Sequence, residues 1–173
     1  QVGTNPAKPE KDLLEQFTTE LTAVGGHIYQ SKDVTEEIIE FLKERDIDRI
    51  HLEPGTLNES ILRAANIDFT YEPDPSIRAG VTKAICGLAD TGSILAAEGV
   101  GGPLHASLLP EIHIAVLNPS SILPSLPNAM HLVQDKAAAA FITGPSRTAD
   151  IEMTLTIGVH GPKEIHIFVD DSK

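Results

Sequence analysis

The chain has 173 residues, 41% of them hydrophobic, and a formal charge of −12, which predicts one domain with a real core and excludes a disordered acidic tail. A single cysteine rules out an internal disulfide and any multi-cysteine zinc or iron–sulfur site within the chain. The acidic balance opposes a nucleic-acid partner, the apolar runs are too short to span a bilayer, and no signal-peptide pattern opens the sequence.

Residues 1–9, with Pro6 and Pro9, read as a flexible arm, and residues 10–173 as a single α/β domain. Leu13, Leu14, Phe17, Leu21 and Val24 recur at helical spacing, and Gly25–Gly26 supplies a stop. His27–Gln30 then reads as a short strand. Asp33 and Glu36 stand at capping-box spacing before a helix whose apolar face is Val34, Ile38, Ile39, Phe41 and Leu42. Arg49–Leu52 is a strand, Thr56 and Glu59 form a second capping box for a helix through Ile61, Leu62 and Ala65, and Phe69–Tyr71 is extended. This alternation predicts an open, mostly parallel sheet with helices on both faces.

After Gly80 the pattern changes. Val81–Ala89 and Ser93–Ala97 are extended runs flanking an Asp90-Thr91-Gly92 turn, and Gly99–Gly102 is a glycine-rich loop before a short helix opened by Pro103. Ile112–Leu117, Phe141–Thr143 and Ile165–Val169 are strands, with a loop and short helix around Pro119–Pro127. Residues 146–160 fit either a strand or a helical turn. Glu111-Ile112-His113-Ile114 recurs as Glu164-Ile165-His166-Ile167, as two neighbouring buried strands of one sheet would produce. Charge and chemistry separate along the same boundary: residues 1–80 carry 16 of the 25 acidic groups, whereas five of the seven histidines lie beyond them.

The dinucleotide fingerprint, the Walker loop, the nucleophile elbow and the His-Glu-x-x-His zinc motif are all absent from the sequence. A lone histidine in an apolar strand is most often a satisfied core residue, and no metal site is expected from the scattered His105, His113 and His160. Cys86, in an apolar strand, reads as inert packing. Three clusters carry chemistry. In Ala89-Asp90-Thr91-Gly92-Ser93, a carboxylate between buried strands is expected either to be held by local backbone amides or to be poorly solvated. Gly144-Pro145-Ser146-Arg147-Thr148-Ala149-Asp150-Ile151-Glu152 gathers two hydroxyls, a guanidinium and two carboxylates after a strand, and ligands of open α/β sheets bind at strand carboxyl ends. The fork-shaped donor of Arg147 suits a carboxylate or phosphate. In Gly158-Val159-His160-Gly161-Pro162, flanking glycines leave the imidazole open to approach.

Taken together, Val81-Thr82-Lys83-Ala84, the Asp90 turn, Ser107-Leu108-Leu109-Pro110 with His113-Ile114, and above all Ile142–Glu152 and Gly158–Pro162 resemble the LUD domain of the lactate-utilization protein C family. The resemblance runs over residues 81 to 170. It departs at Asp90, where the family usually has glutamate, and at Leu104-His105, where arginine is often found. It implies a fold like that of the glucosamine-6-phosphate deaminase, ribose-5-phosphate isomerase and CoA-transferase group. It also implies a cytoplasmic subunit or accessory protein that helps oxidise L-lactate to pyruvate, without a redox cofactor of its own and alongside iron–sulfur partner proteins.

On that reading the ligand is lactate or another small anion. Arg147 holds the carboxylate, with Ser146, Thr148, Asp150, Glu152, Thr91 and Gly92 around it. His160 or His113 accepts the hydroxyl proton, and Asp90 lies at the same site. Two other readings stay open. One is a stand-alone enzyme of the same fold group acting on a sugar phosphate or CoA thioester, with Asp90 or Glu152 as base or nucleophile and Gly99–Gly102 holding phosphate. The other is a structural subunit with no small-molecule site.

Overall fold

The computed structural model describes residues 6–97, 105–136, 138–145 and 161–172. In chain order the elements are α1 (Glu10–Ala23), β1 (His27–Ser31), α2 (Val34–Glu44), β2 (Arg49–Leu52), α3 (Glu59–Ala64), β3 (Asp68–Thr70), β4 (Ala79–Lys83), β5 (Cys86–Leu88), β6 (Ser93–Ala97), α4 (His105–Leu108), β7 (Ile112–Leu117), β8 (Ile122–Leu123), α5 (Leu126–Ala129), β9 (Ala139–Ile142) and β10 (Glu164–Asp170). Six strands form an all-parallel sheet in the order β1-β10-β7-β4-β2-β3. A second, four-stranded sheet runs β8-β5-β6-β9.

The helices form where their sequence says they should, with one exchange of caps. Asp33 Oδ1 accepts the Glu36 N–H at 3.2 Å and opens α2 as expected. The cap of α3 is Asn58 rather than Thr56: its Oδ1 accepts from the backbone of Ser60 at 3.1 Å and Ile61 at 3.2 Å. Three helices end alike. Gly26 N–H returns to Leu21 O, Ile47 to Leu42 O and Ile67 to Leu62 O, each at 2.9 Å. Gly25, Asp46 and Asn66 supply the left-handed turn these closures need, with φ of 90°, 56° and 62°.

Side-chain alternation assigns each layer. Ile50, Leu52, Ala79, Val81, Ile112, Ile114, Val116 and Phe168 point to one face of the parallel sheet and pack against α2 and α3. Ala115, Leu117, Ile165, Ile167 and Val169 point to the other face and meet Leu13, Phe17 and Leu21 of α1. The same cluster takes in Ala84, Ala89, Ile94 and Ile122, so α1 is sandwiched between the two sheets. On the far side of the second sheet, Cys86, Leu88 and Leu95 pack with Ala129 of α5. The expected helices on both faces are present, and the second sheet is an addition the sequence pattern did not disclose.

The reason is local. The run Val81–Ala89 is not one strand but two, because Ala84 N–H bonds Val116 O in the first sheet while Ile85 N–H bonds Leu95 O in the second. β7 and β10, which carry the repeated Glu-Ile-His-Ile, are indeed neighbours, but their pairing is offset by one residue: His113 faces Ile165, and His166 faces Ile114. A one-residue offset turns the two histidines to opposite faces of the sheet.

Candidate functional site

The first sequence-predicted cluster folds as the loop of the β5–β6 hairpin. Leu88 pairs with Ser93 across it, and Gly92 N–H closes back on Leu88 O at 2.9 Å. Gly92 has φ 69°, and a Cβ there would overlap the backbone of Leu21 in α1. Asp90 and Thr91 are exposed, whereas Gly92 and Ser93 are buried. Asp90 therefore has ready solvent, and the expectation of a poorly solvated carboxylate is corrected: burial of the flanking strands does not extend to the tip of their turn.

A ladder of hydroxyls ties this turn to the start of the second cluster. Thr91 Oγ1 lies 2.8 Å from Ser93 Oγ, which lies 2.6 Å from Thr143 Oγ1. Thr143 follows β9 directly, and Gly144 (φ 68°) then presses on Val24, where a Cβ would come within 2.7 Å of the Val24 carbonyl. Two of the segments singled out in the sequence thus meet on the C-terminal end of α1. The carboxyl-end rule does not describe this corner, because β9 belongs to the second sheet and runs antiparallel to β6. Ser146, Arg147, Thr148, Asp150, Glu152 and His160 lie outside the described residues, as do the Gly99–Gly102 loop and Pro103.

His113 stands elsewhere, on the face of the parallel sheet that carries α1 and α4. It is fully buried, its Nε2 lies 2.7 Å from Thr82 Oγ1, and among the described residues its Nδ1 has no hydrogen-bond partner. Burial pushes its pKa down to about 4. Charging an imidazole so placed would put a cation in the core, so burial favours its neutral form. Next to it in the sheet, Gly80 lies between His51 and His113 in register, and the carbonyl of Ala106 in α4 occupies the space a Cβ would fill.

The opposite face holds a network that the motif reading missed. Tyr29 Oη lies 2.9 Å from His166 Nδ1, and His166 Nε2 lies 3.1 Å from Glu164 Oε1. Arg45 grips Glu164 through both carboxylate oxygens at 2.8 and 3.0 Å and lies over the Phe41 ring. His27 stacks on His166 with ring centroids 4.7 Å apart. Burial outweighs the Glu164 carboxylate in setting the His166 pKa, which falls below its usual value. The one signal available beforehand was Glu164 two residues before His166, since i and i+2 share a strand face.

Cys86 is buried in β5 and burial pushes its thiol up to about 11, the reverse of what a thiolate ligand requires. With no second cysteine in the sequence, these residues do not fit an iron–sulfur cluster. Among the described residues no group of three or more His, Cys, Asp or Glu is placed to hold a metal ion, and no helix is long and apolar enough to cross a membrane. A recess of about 340 Å³ at the C-terminal ends of α2 and α3, lined among others by Lys43, Asp46, Asp48 and Asn66, contains none of the sequence-predicted site residues.

Comparison with known proteins places this arrangement. The LUD domain family model matches residues 14–169. "Lactate utilization protein C 1" of Bacillus mycoides is 41% identical over 102 residues, covering 53% of this chain and 43% of that protein. "Lactate utilization protein C" of Anoxybacillus flavithermus is 31% identical over 177 residues, covering 98% of this chain and 74% of that protein. The chain thus spans less than half the length of the first relative and about three quarters of the second. A crystal structure of a DUF162 family protein from Deinococcus radiodurans shares the fold, with a TM-score of 0.70, 18% identity, and coverage of 94% of this chain and 98% of that one. The chain belongs to the LUD domain family and, within it, to the lactate-utilization protein C family.

Proposed function

We propose that this chain is a subunit or accessory protein of a cytoplasmic L-lactate oxidising system and binds the small carboxylate on which that system acts. The observation that carries the reading is the hydroxyl ladder Thr91–Ser93–Thr143, which joins the Asp90 turn to the corner from which the chain runs on to Ser146 and Arg147. The Asp90 turn and Thr143, where the second sequence cluster begins, are tied together by the buried Ser93. Arg147 would grip the lactate carboxylate through its fork of N–H donors, with Asp150 and Glu152 orienting the guanidinium. Thr91, Ser146 and Thr148 would offer hydroxyls and Gly92 a close backbone approach, with the Asp90 carboxylate at the rim. His160 would take the hydroxyl proton.

Oxidation of lactate to pyruvate also releases the Cα hydrogen as a second proton, which passes to solvent, and two electrons in all, and this chain's single cysteine does not fit a cluster that would take them. Iron–sulfur proteins are the expected partners, and their clusters would supply that electron-accepting chemistry. We read the fold as akin to the glucosamine-6-phosphate deaminase, ribose-5-phosphate isomerase and CoA-transferase group, a likeness supported by the six parallel strands covered on both faces.

Titration calorimetry of the purified chain with L-lactate and pyruvate tests the reading, together with L-lactate-dependent dye reduction after reconstitution with co-purifying partners. Arg147→Ala is expected to weaken binding by about 10- to 100-fold, the loss of a charge-assisted bidentate pair. Absence of binding heat for both acids, with an unchanged reconstituted activity of the variant, would remove the assignment.

A further inference from the structure

In the parallel sheet, β2 and β4 are neighbours from which the chain departs in opposite directions. β2 leads through α3 to β3 at the edge, whereas β4 leads through the second sheet to β7 on its other side. The departures also take opposite faces: Leu62 of α3 packs in the α2 layer, and Ala84, just after β4, packs in the α1 layer. Connections that part in this way leave a crevice outside the carboxyl ends of the strands, where open α/β sheets take their ligands. The hydroxyl ladder lies elsewhere, by the end of α1 that leads into the amino end of β1.

Glu53 bridges that crevice. It follows β2 directly, its N–H bonds Val81 O at 2.9 Å, and its Oε2 accepts the Lys83 N–H at the end of β4 at 2.6 Å. Among the described residues its Oε1 makes no hydrogen bond and its carboxylate no ion pair. Burial pushes the carboxyl above its ordinary range, and the N–H and ammonium of Lys83 oppose that shift without cancelling it. A partly desolvated carboxylate with an unused oxygen gains most from a cationic donor. The turn that follows closes with Thr56 N–H on Glu53 O at 3.3 Å, and Thr56 Oγ1 is buried without a hydrogen-bond partner among the described residues. The rim is open: Pro54, Gly55 and Lys83 are exposed, and a Cβ on Gly55 would meet no atom within 4 Å.

We propose that the crevice between the ends of β2 and β4 binds a small α-amino acid as its zwitterion. The ligand's ammonium group donates to Glu53 Oε1, and its carboxylate is received by the Lys83 ammonium and the Thr56 hydroxyl. A ligand of that form returns to Glu53 the charge solvation that burial removes, and gives Thr56 the acceptor it lacks. A plain carboxylic acid or a hydroxy acid brings no cation to Glu53, and a plain amine brings no anion to Lys83. The site does not rest on the function proposed above, whose ligand carries no ammonium group.

Carbon-13 NMR of the chain labelled at its glutamate carboxyls reads Glu53 directly, with Glu53→Gln identifying the signal. Glycine and L-alanine are expected to move that resonance saturably, while L-lactate and propionate at the same concentration leave it in place. Ethylammonium, which has the cation but no carboxylate, should need a concentration about 10-fold higher than L-alanine. Glu53→Gln keeps an acceptor for the Lys83 N–H and should bind L-alanine about 10-fold more weakly by calorimetry. Silence toward both amino acids overturns the proposal, as does an equal response to L-lactate or propionate. Ethylammonium binding as tightly as L-alanine overturns it too, since Lys83 and Thr56 would then receive nothing. Unaltered L-alanine affinity in a folded Glu53→Gln chain has the same consequence. If Glu53→Gln fails to fold, Glu53→Asp identifies the signal and the wild-type responses decide.

Discussion

The same four residues, Glu-Ile-His-Ile, place histidines on two adjacent parallel strands, and the two imidazoles have almost nothing in common. On the α2 side, His166 is bracketed by Tyr29 and Glu164, stacked on His27 and backed by Arg45 through Glu164. On the α1 and α4 side, His113 is fully buried and, among the described residues, hydrogen-bonds one hydroxyl. The one-residue offset between β7 and β10 causes the difference, because it sends identical sequence to opposite faces. His166 can share a proton with a carboxylate within reach of solvent, whereas His113 can only donate or accept a hydrogen bond as a neutral ring. Local sequence supplies the imidazole, and register decides its chemistry.

The most severe way to break the contrast is to fill the gap beside His113. Gly80→Val would drive a branched side chain into the Ala106 carbonyl and the Pro110 ring, and neither backbone can retreat without unseating α4 from the sheet. A loss of more than about 3 kcal/mol is expected by urea unfolding. A change below about 1 kcal/mol would mean that α4 is loosely held.

Acid titration separates the two rings next. The His113 pKa in the folded chain is about 4 against an ordinary 6.5, so as pH falls the unfolded chain binds the proton first. The neutral ring's contribution is therefore complete above pH 6.5, is lost between 6.5 and 4, and changes no further below 4. The whole effect is about 3 kcal/mol at most. His166 is shifted in the same direction, but Glu164 opposes that shift. His113→Gln should flatten the stability profile over this window more than His166→Gln does. Equal flattening would show that the enclosure of His113 is not what distinguishes the rings.

A smaller effect is expected from the phenol hydroxyl of the α2-side network. Tyr29→Phe removes the bond to His166 Nδ1 without changing ring packing on Phe168, whose centroid lies 4.6 Å away. A cost of about 1 kcal/mol is expected in thermal unfolding. In combination with Glu164→Gln the losses should be less than additive, since both substitutions act on one imidazole.

How much of this was legible beforehand follows from the range over which each feature is encoded. Asp33, the Leu13–Leu21 spacing and the Gly25 stop are local, and the first three helices appear where those signals put them. Asn58 displaced Thr56 as a cap because two cap-forming residues stood two apart and only backbone geometry chooses between them. The break between β4 and β5 was invisible, since Ala84 and Ile85 are apolar whichever sheet they join. Asp90 misled for a related reason: hydrophobic flanks describe the strands and not the tip of the loop. The Tyr29–His166 bond links residues 137 apart, and no periodicity carries such a pairing. At the candidate site, the motifs around Asp90 and Thr143 were legible as family resemblance, but their meeting through Ser93 depends on the order β6-β9 in a sheet the pattern did not reveal.

The smallest expected change tests whether the α2-side network is held from the helix end. Arg45 is the C-cap of α2, immediately before Asp46 in the left-handed conformation, and the closure of Ile47 N–H onto Leu42 O fixes where the guanidinium can reach. Asp46→Gly removes the Cβ strain of that conformation and should raise stability by about 0.5 kcal/mol, net of glycine's greater freedom in the unfolded chain. Asp46→Val keeps the length of the turn but puts a β-branched residue at positive φ, which costs about 1–2 kcal/mol. If the cap aims Arg45, the valine variant should also loosen Glu164, raising its carboxyl pKa by NMR titration, while the glycine variant leaves it depressed. An unchanged Glu164 in a destabilised valine variant would show that Arg45 finds the carboxylate by its own reach, and that the contrast between the two histidines is set by register alone.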